Sequence, residues 1–271
     1  MAELSGLRAL VTGGSGGIGA AIARELAARG ADLVLTARRK DALAEVAASC
    51  TGVHVDLVAG DLGVDQGAGA VWAAATVRGP IDILINNAGF GAFRAFALTE
   101  PGRDAEMCQL NMTSLVELTK RFLAQDRPRG YIVNIASIGA YQSVPNMALY
   151  AASKAFVRNF TEGLHDELKG SAVSATCICP GGTRTGFHAA AGAGDYSWLA
   201  NASMMSAPAV AAIAVEAMLA KKRNVIPGLI NKLSCLGVRF VPRRFASWFS
   251  ARVLGRPKLV LPPRRNGELA A

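Results

Sequence analysis

Short apolar runs alternate with segments of helical spacing along most of the chain. Residues 7–12, 32–36, 53–58, 81–86, 131–136, 172–178 and 224–226 have the length and apolar character of buried strands. Between them, apolar positions recur at three- and four-residue intervals over residues 17–30, 40–49, 63–77, 102–125, 148–169 and 208–221, which predicts helices. Gly30 closes the first of these, as a glycine past a helix end does. Strands alternating with helices connect through right-handed crossovers into a parallel sheet covered on both faces. The expected fold is α/β: a doubly wound Rossmann sheet of seven parallel strands with helices on both faces.

The chain has 271 residues, 51% of them apolar and 18% charged, which suits one large packed domain. That domain is expected over residues 1–230, followed by an extension over residues 231–271. No apolar run approaches the roughly 20 residues that cross a bilayer, and the polar start lacks the charged and apolar regions of a signal peptide. A cytoplasmic location is expected. The formal charge of +9 is placed unevenly: residues 1–220 carry −2, and the rest carries twelve Lys/Arg against Glu268, or +11. Cys177 and Cys179 are the tempting metal pair among five cysteines, but they sit two apart on one strand face and read as buried core. His54, His165 and His188 do not cluster, and no metal is expected.

The first strand runs straight into Thr12-Gly13-Gly14-Ser15-Gly16-Gly17-Ile18-Gly19, where a helix begins. Glycines let the backbone turn sharply and approach a pyrophosphate, and the helix N-terminus supplies unpaired N–H groups and partial positive charge. This placement in a strand–turn–helix unit makes the loop a dinucleotide site. A site selective for NAD carries an acid at the end of the second strand, about 20 residues beyond the glycines. Here Ala37 stands there, followed by Arg38, Arg39 and Lys40. A carboxylate would repel a 2′-phosphate and an arginine can chelate it, so the expected cofactor is NADP(H), with Arg38 on the phosphate.

Tyr150 and Lys154 are four residues apart, on one face of a predicted helix. A tyrosine of ordinary pKa near ~10 is too weakly acidic to exchange protons at neutral pH. A neighbouring ammonium favours the phenolate and brings it toward the working range. Ser137 follows the fifth strand at the sheet's carboxyl edge, where its hydroxyl can stabilise developing oxyanion charge.

Taken together, these motifs resemble the short-chain dehydrogenase/reductase family over residues 5–226. Thr12-Gly13-x-x-x-Gly17-x-Gly19 matches its cofactor turn, and Asn111, Ser137, Tyr150 and Lys154 match its four catalytic positions. The resemblance implies cofactor contacts from Gly13, Ser15, Gly16, Gly17, Ile18, Gly19, Arg38, Tyr150 and Lys154. It implies adenine-side contacts from Asp61-Leu62 and Asn87-Ala88-Gly89, and nicotinamide-side contacts from Pro180, Gly181, Thr183 and Thr185. It further implies that Asn111 holds a water in a proton relay from Lys154, that Lys154 binds the nicotinamide ribose, and that the protein is a homodimer or homotetramer.

Residues 183–205 are then expected to form a substrate lid, and their small and apolar content favours a lipophilic substrate. Ser137, Tyr141, Gly182 and Phe187 are the expected substrate contacts, with Gln142 nearby. The leading reading is an NADP(H)-dependent oxidoreductase interconverting a ketone and a secondary alcohol, on a 3-oxoacyl or steroid-like substrate. A non-catalytic NADP(H)-binding scaffold or sensor is the other. Residues 231–256 interleave Leu233, Leu236, Phe240, Phe245, Trp248 and Phe249 with Lys232, Arg239, Arg243, Arg244 and Arg252. Such a segment can dock on its own domain, form a subunit contact, bind an acidic carrier, or lie peripherally on an anionic membrane. No nucleic-acid-binding motif accompanies the charge, so nucleic acid is not an expected partner.

Overall fold

A computed structural model describes residues 3–126, 129–185 and 203–253. Its main sheet contains β1 (Arg8–Thr12), β2 (Asp32–Ala37), β3 (Val55–Ala59), β4 (Ile83–Asn86), β5 (Gly130–Ile135), β6 (Val173–Ile178) and β9 (Asn224–Val225). These seven strands are parallel, in the order β3-β2-β1-β4-β5-β6-β9. A small parallel pair, β7 (Thr183–Arg184) and β8 (Met205–Ser206), lies apart from them.

The helices are α1 (Gly17–Ala28), α2 (Lys40–Ala48), α3 (Gly67–Ala75), α4 (Pro101–Cys108), α5 (Ser114–Leu123), α6 (Ala148–Glu167), α7 (Ala207–Leu219), α8 (Leu229–Gly237) and α9 (Arg243–Val253). Alternation along the central strands decides which helices cover which face. Ala9, Val11, Leu33, Leu35, Ile83, Ile85 and Val133 point into a core shared with α1, α2 and α7. Leu10, Val34, Leu84 and Ile132 point the other way, against α3, α5 and α6. With both faces buried, β1, β2 and β4 read as nearly unbroken apolar runs.

Two segments depart from the expected pattern. Residues 102–125, expected as one helix, form α4 and α5 with a π-helical turn, Gln109–Thr113, between them. A π turn adds one residue to the repeat and changes which side chain points inward; the one it buries is Asn111. The second departure lies at the expected start of the extension, which falls inside a helix. The helix Leu229–Gly237 crosses the expected boundary at 230/231, and α9 follows it, both folded against the domain through Asn231, Cys235, Ala246 and Ser250. Cys177 and Cys179 are buried core with Sγ atoms 3.6 Å apart, as their strand spacing predicts.

Candidate active site

The strand order reverses between β1 and β4, and such a switch point opens a crevice at the carboxyl edge of the sheet. Thr12, buried at the end of β1, joins its two sides. Its Oγ1 accepts from the backbone N–H of Asn87 and of Ala88, each at 3.0 Å, and donates to the Ile85 carbonyl at 3.1 Å. Asn87 Nδ2 donates back to the Thr12 carbonyl at 2.9 Å. The glycine turn is thereby clamped to the loop after β4, and the clamp leaves no room for side chains. Gly13 has φ of +66°, and a Cβ there would lie 2.8 Å from Asn87 Nδ2. At Gly19 a Cβ would lie 2.3 Å from the Gly13 carbonyl oxygen.

A cleft of about 910 Å³ runs from this turn across the sheet edge. Gly13, Ser15, Gly16, Gly17 and Ile18 line one part of it, and Gly16, at the N-cap of α1, has no side chain to cap the helix that starts there. The first N–H groups of that helix are the donors a pyrophosphate requires. The residues present therefore fit a dinucleotide. Gly19 packs beneath the turn and is not among the residues lining the cleft.

At and beyond the ends of β2 and β3 the lining includes Ala37, Arg38, Asp61 and Leu62. Asp61 Oδ1 accepts from the Gly63 N–H at 2.8 Å, which fixes the carboxylate in its own turn. Arg38, with a side chain 64% exposed, donates to Glu106 on α4 at 3.2 Å. Glu106 is also held by Arg103 at 2.6 Å. With the guanidinium so exposed, its bond to Glu106 contributes little stability. Asn87, Ala88 and Gly89 also line the cleft, as do Pro180, Gly181, Gly182, Thr183 and Thr185.

Ser137, Tyr150 and Lys154 all line this cleft. Ser137 Oγ accepts from the Gly139 N–H at 3.1 Å, so its own proton is available to an oxygen in the cleft. Lys154 is buried, one turn along α6 from Tyr150, and its Nζ donates to the Ile135 carbonyl at 2.8 Å. Burial, which disfavours the charged form, pushes Lys154 down to about 8. Asn111 is buried behind this wall. Its Nδ2 donates to Phe90 O and Ser153 Oγ, each at 3.0 Å, and its Oδ1 accepts from the Phe90 N–H at 3.2 Å. Gly89 separates Asn111 from Lys154: a Cβ there would lie 2.9 Å from Asn111 Oδ1 and 3.4 Å from Lys154 Nζ. Gly91 supports the Tyr150 ring in the same way, with 2.9 Å between a built Cβ and Tyr150 Cδ2. Neither its role nor that of Ser153 was signalled by any motif.

Tyr141, expected on the substrate side, is turned away from the cleft. Its hydroxyl donates to Asn224 Oδ1 at 3.1 Å and its ring lies 4.4 Å below the Arg158 guanidinium. Burial holds its phenol well above the ordinary tyrosine range. The short 3₁₀ turn Ile138–Tyr141 produces this rotation, and Gln142, the next residue, faces the cleft instead. Phe187, most of the expected lid and residues 254–271 lie outside the described residues. Helices α8 and α9 supply lining that the sequence did not suggest: Ile230, Asn231, Ser234, Phe249 and Ser250. Asn231 seats against Gly181, where a Cβ would come within 2.4 Å of its Oδ1, and donates to Pro227 O at 2.9 Å. Among the described residues no group of His, Cys, Asp or Glu is arranged to hold a metal ion, and no helix is long and apolar enough to cross a membrane.

A family profile described as short chain dehydrogenase matches residues 8–195. Ketoacyl reductase HetN of Nostoc sp. is 35% identical over 189 residues, a match covering 67% of this chain and just under two thirds (65%) of HetN. Among solved structures, a 7β-hydroxysteroid dehydrogenase superposes with a TM-score of 0.81 at 25% identity, covering 92% of this chain and 98% of that one. A short-chain dehydrogenase from Sphingobium yanoikuyae, in complex with NADPH, gives 0.74 at 31% identity over 91% and 93% of the two chains.

Proposed function

The chain belongs to the short-chain dehydrogenase family of oxidoreductases, and from that premise we propose that it interconverts a ketone and a secondary alcohol with NADP(H), on a lipophilic substrate. One observation carries the reading: Ser137, Tyr150 and Lys154 line the same cleft as Arg38 and the glycine turn. Bound there, the nicotinamide would supply the hydride in reduction or take it in oxidation. The rest of the chemistry belongs to side chains. Ser137 donates to the carbonyl oxygen and stabilises its growing negative charge. Tyr150 delivers the proton to that oxygen, or removes it from the alcohol. Lys154, as the ammonium, favours the phenolate and lowers the cost of that transfer. Asn111 holds the wall behind Lys154 and, in this reading, carries the path by which the proton is replaced.

Arg38 and the absence of an acid at Ala37 support the phosphorylated cofactor, and the NADPH bound to the Sphingobium relative agrees with it. Support for a lipophilic substrate comes from Val144, Met147, Met204, Ile230 and Phe249, which make that part of the lining apolar. The names of the relatives, a ketoacyl reductase and a hydroxysteroid dehydrogenase, point to 3-oxoacyl and steroid-like ketones. The test is NADPH consumption by the purified protein against 3-oxoacyl thioesters, steroid ketones and small hydrophilic ketones. Turnover favouring the first two is expected. Tight NADPH binding without turnover on any ketone would contradict the reading and favour a cofactor-binding scaffold.

A further inference from the structure

Helices α8 and α9 bury small side chains and leave their large apolar ones exposed. A helix on a protein surface buries its apolar stripe and exposes its polar one. In α8 the buried positions are Asn231 and Cys235, and Leu229, Ile230, Leu233 and Leu236 are exposed, following one stripe along the helix. In α9, Ala246 and Ser250 are buried, while Phe245, Trp248 and Phe249 are exposed. The three rings form their own cluster, with centroids 5.6 and 6.5 Å from Phe245, and Arg252 lies 4.5 Å above Trp248. Phe240, in the turn between the helices, is 80% exposed. Lys232, Arg239, Arg243, Arg244 and Arg252 are interspersed, and residues 229–253 contain no acid. So large an apolar face marks a surface that meets something other than water.

We propose that this face of α8 and α9 docks on an anionic lipid surface, with the mouth of the cleft opening at the docked face. The apolar stripe supplies burial in the acyl boundary and the five cations supply attraction to lipid phosphates. A shallow depression lined in part by Arg243, Arg244, Ser247 and Trp248 offers paired guanidinium groups and an aromatic wall for one headgroup. A second copy of the chain fits the face poorly. A symmetric contact sets a patch against itself, and here it would bring two such cation clusters together with no acid in either. The link to the cleft is physical: Ile230 and Phe249 are half-exposed on this face and also line the cleft. A lipophilic ketone dissolved in the bilayer would therefore enter without crossing water. This entry route rests on the ketone reading above; the docking does not.

Flotation of the full chain with phosphatidylcholine vesicles containing or lacking phosphatidylglycerol tests the docking. Expected is binding to the anionic vesicles only, with a blue shift of Trp248 emission that Trp248→Phe removes. Arg243→Glu/Arg244→Glu is expected to weaken binding about thirtyfold or more, and Leu233→Ser/Leu236→Ser to weaken it at least about tenfold, with NADPH affinity unchanged in both. No binding to anionic vesicles overturns the proposal. So does binding that the leucine substitutions leave intact, which would be charge attraction alone. A concentration-dependent dimer lost in the leucine variant, without vesicle binding, would assign the face to a second copy. Reduction of a soluble ketone by unbound protein leaves the catalytic reading standing if docking fails. Vesicle binding without turnover on any ketone leaves docking standing if that reading fails.

Discussion

Lys154 Nζ lies 5.8 Å from the centroid of the Tyr150 ring and is anchored there by its 2.8 Å hydrogen bond to the Ile135 carbonyl. The anchor comes from the end of β5 and both side chains come from α6, so sheet and helix together hold the ammonium beside the ring. Burial makes this charge sensitive to pH within the range where enzymes work.

With Lys154 lowered to about 8, its charge is lost as pH rises through that value. kcat/KM for ketone reduction, which reports on the free enzyme, is expected to show an alkaline limb near pH 8. In Lys154→Arg the charge persists beyond about pH 12, so the limb should move upward; an unmoved limb would assign it to another group. Stability follows with a definite sign. Between about 8 and 10.5 the unfolded chain keeps the Lys154 proton that the folded chain has released, so stability rises with pH there. Tm relative to Lys154→Met should climb across that window.

Arg38 has a competing partner in Glu106. Arg38→Ala is expected to weaken NADPH binding by about ten- to a hundredfold, the value of a charge-assisted contact, and to change NADH binding little. Glu106→Gln releases the guanidinium and should tighten NADPH. Equal losses for both cofactors in Arg38→Ala, measured by fluorescence titration, would remove Arg38 from phosphate selection.

Gly91→Ala sets a methyl group 2.9 Å from Tyr150 Cδ2, 3.1 Å from its Cγ and 3.3 Å from Met147 Cε. The ring or the loop must shift. Overpacking of this kind costs about 1–3 kcal/mol, and displacement of a reacting group by about 1 Å costs on the order of a hundredfold in rate. A fall in kcat at nearly wild-type NADPH affinity is expected; unchanged kcat would show that Gly91 does not set the ring's position.

Much of this was legible in the chain because it depends on periodicity. Leu10 and Val11 face opposite cores, and burial of both faces is what makes the strands nearly unbroken apolar runs. Tyr150 and Lys154 share a face because α6 is a regular helix. What was hidden depends on single-residue displacements and on tertiary contacts. The π turn at Asn111 adds one residue to a helix whose apolar pattern continues on both sides. Tyr141 is rotated away by a single 3₁₀ turn. In α8 and α9 the apolar residues are spaced as for a buried helix, and only the fold reveals that Asn231 and Ser250 take the inner side. Gly91 matters through a ring 59 residues later in the sequence, beyond the reach of any local pattern.

In the proposed reaction Tyr150 is the group that moves the proton, and Tyr150→Phe removes that hydroxyl while keeping the ring on which Gly91 packs. Turnover of a 3-oxoacyl or steroid-like ketone is the measurement, with NADPH affinity determined on the same sample. A fall in kcat of about a hundred- to ten-thousandfold, at unchanged NADPH affinity, is the predicted result. Turnover within a few-fold of wild type would contradict it.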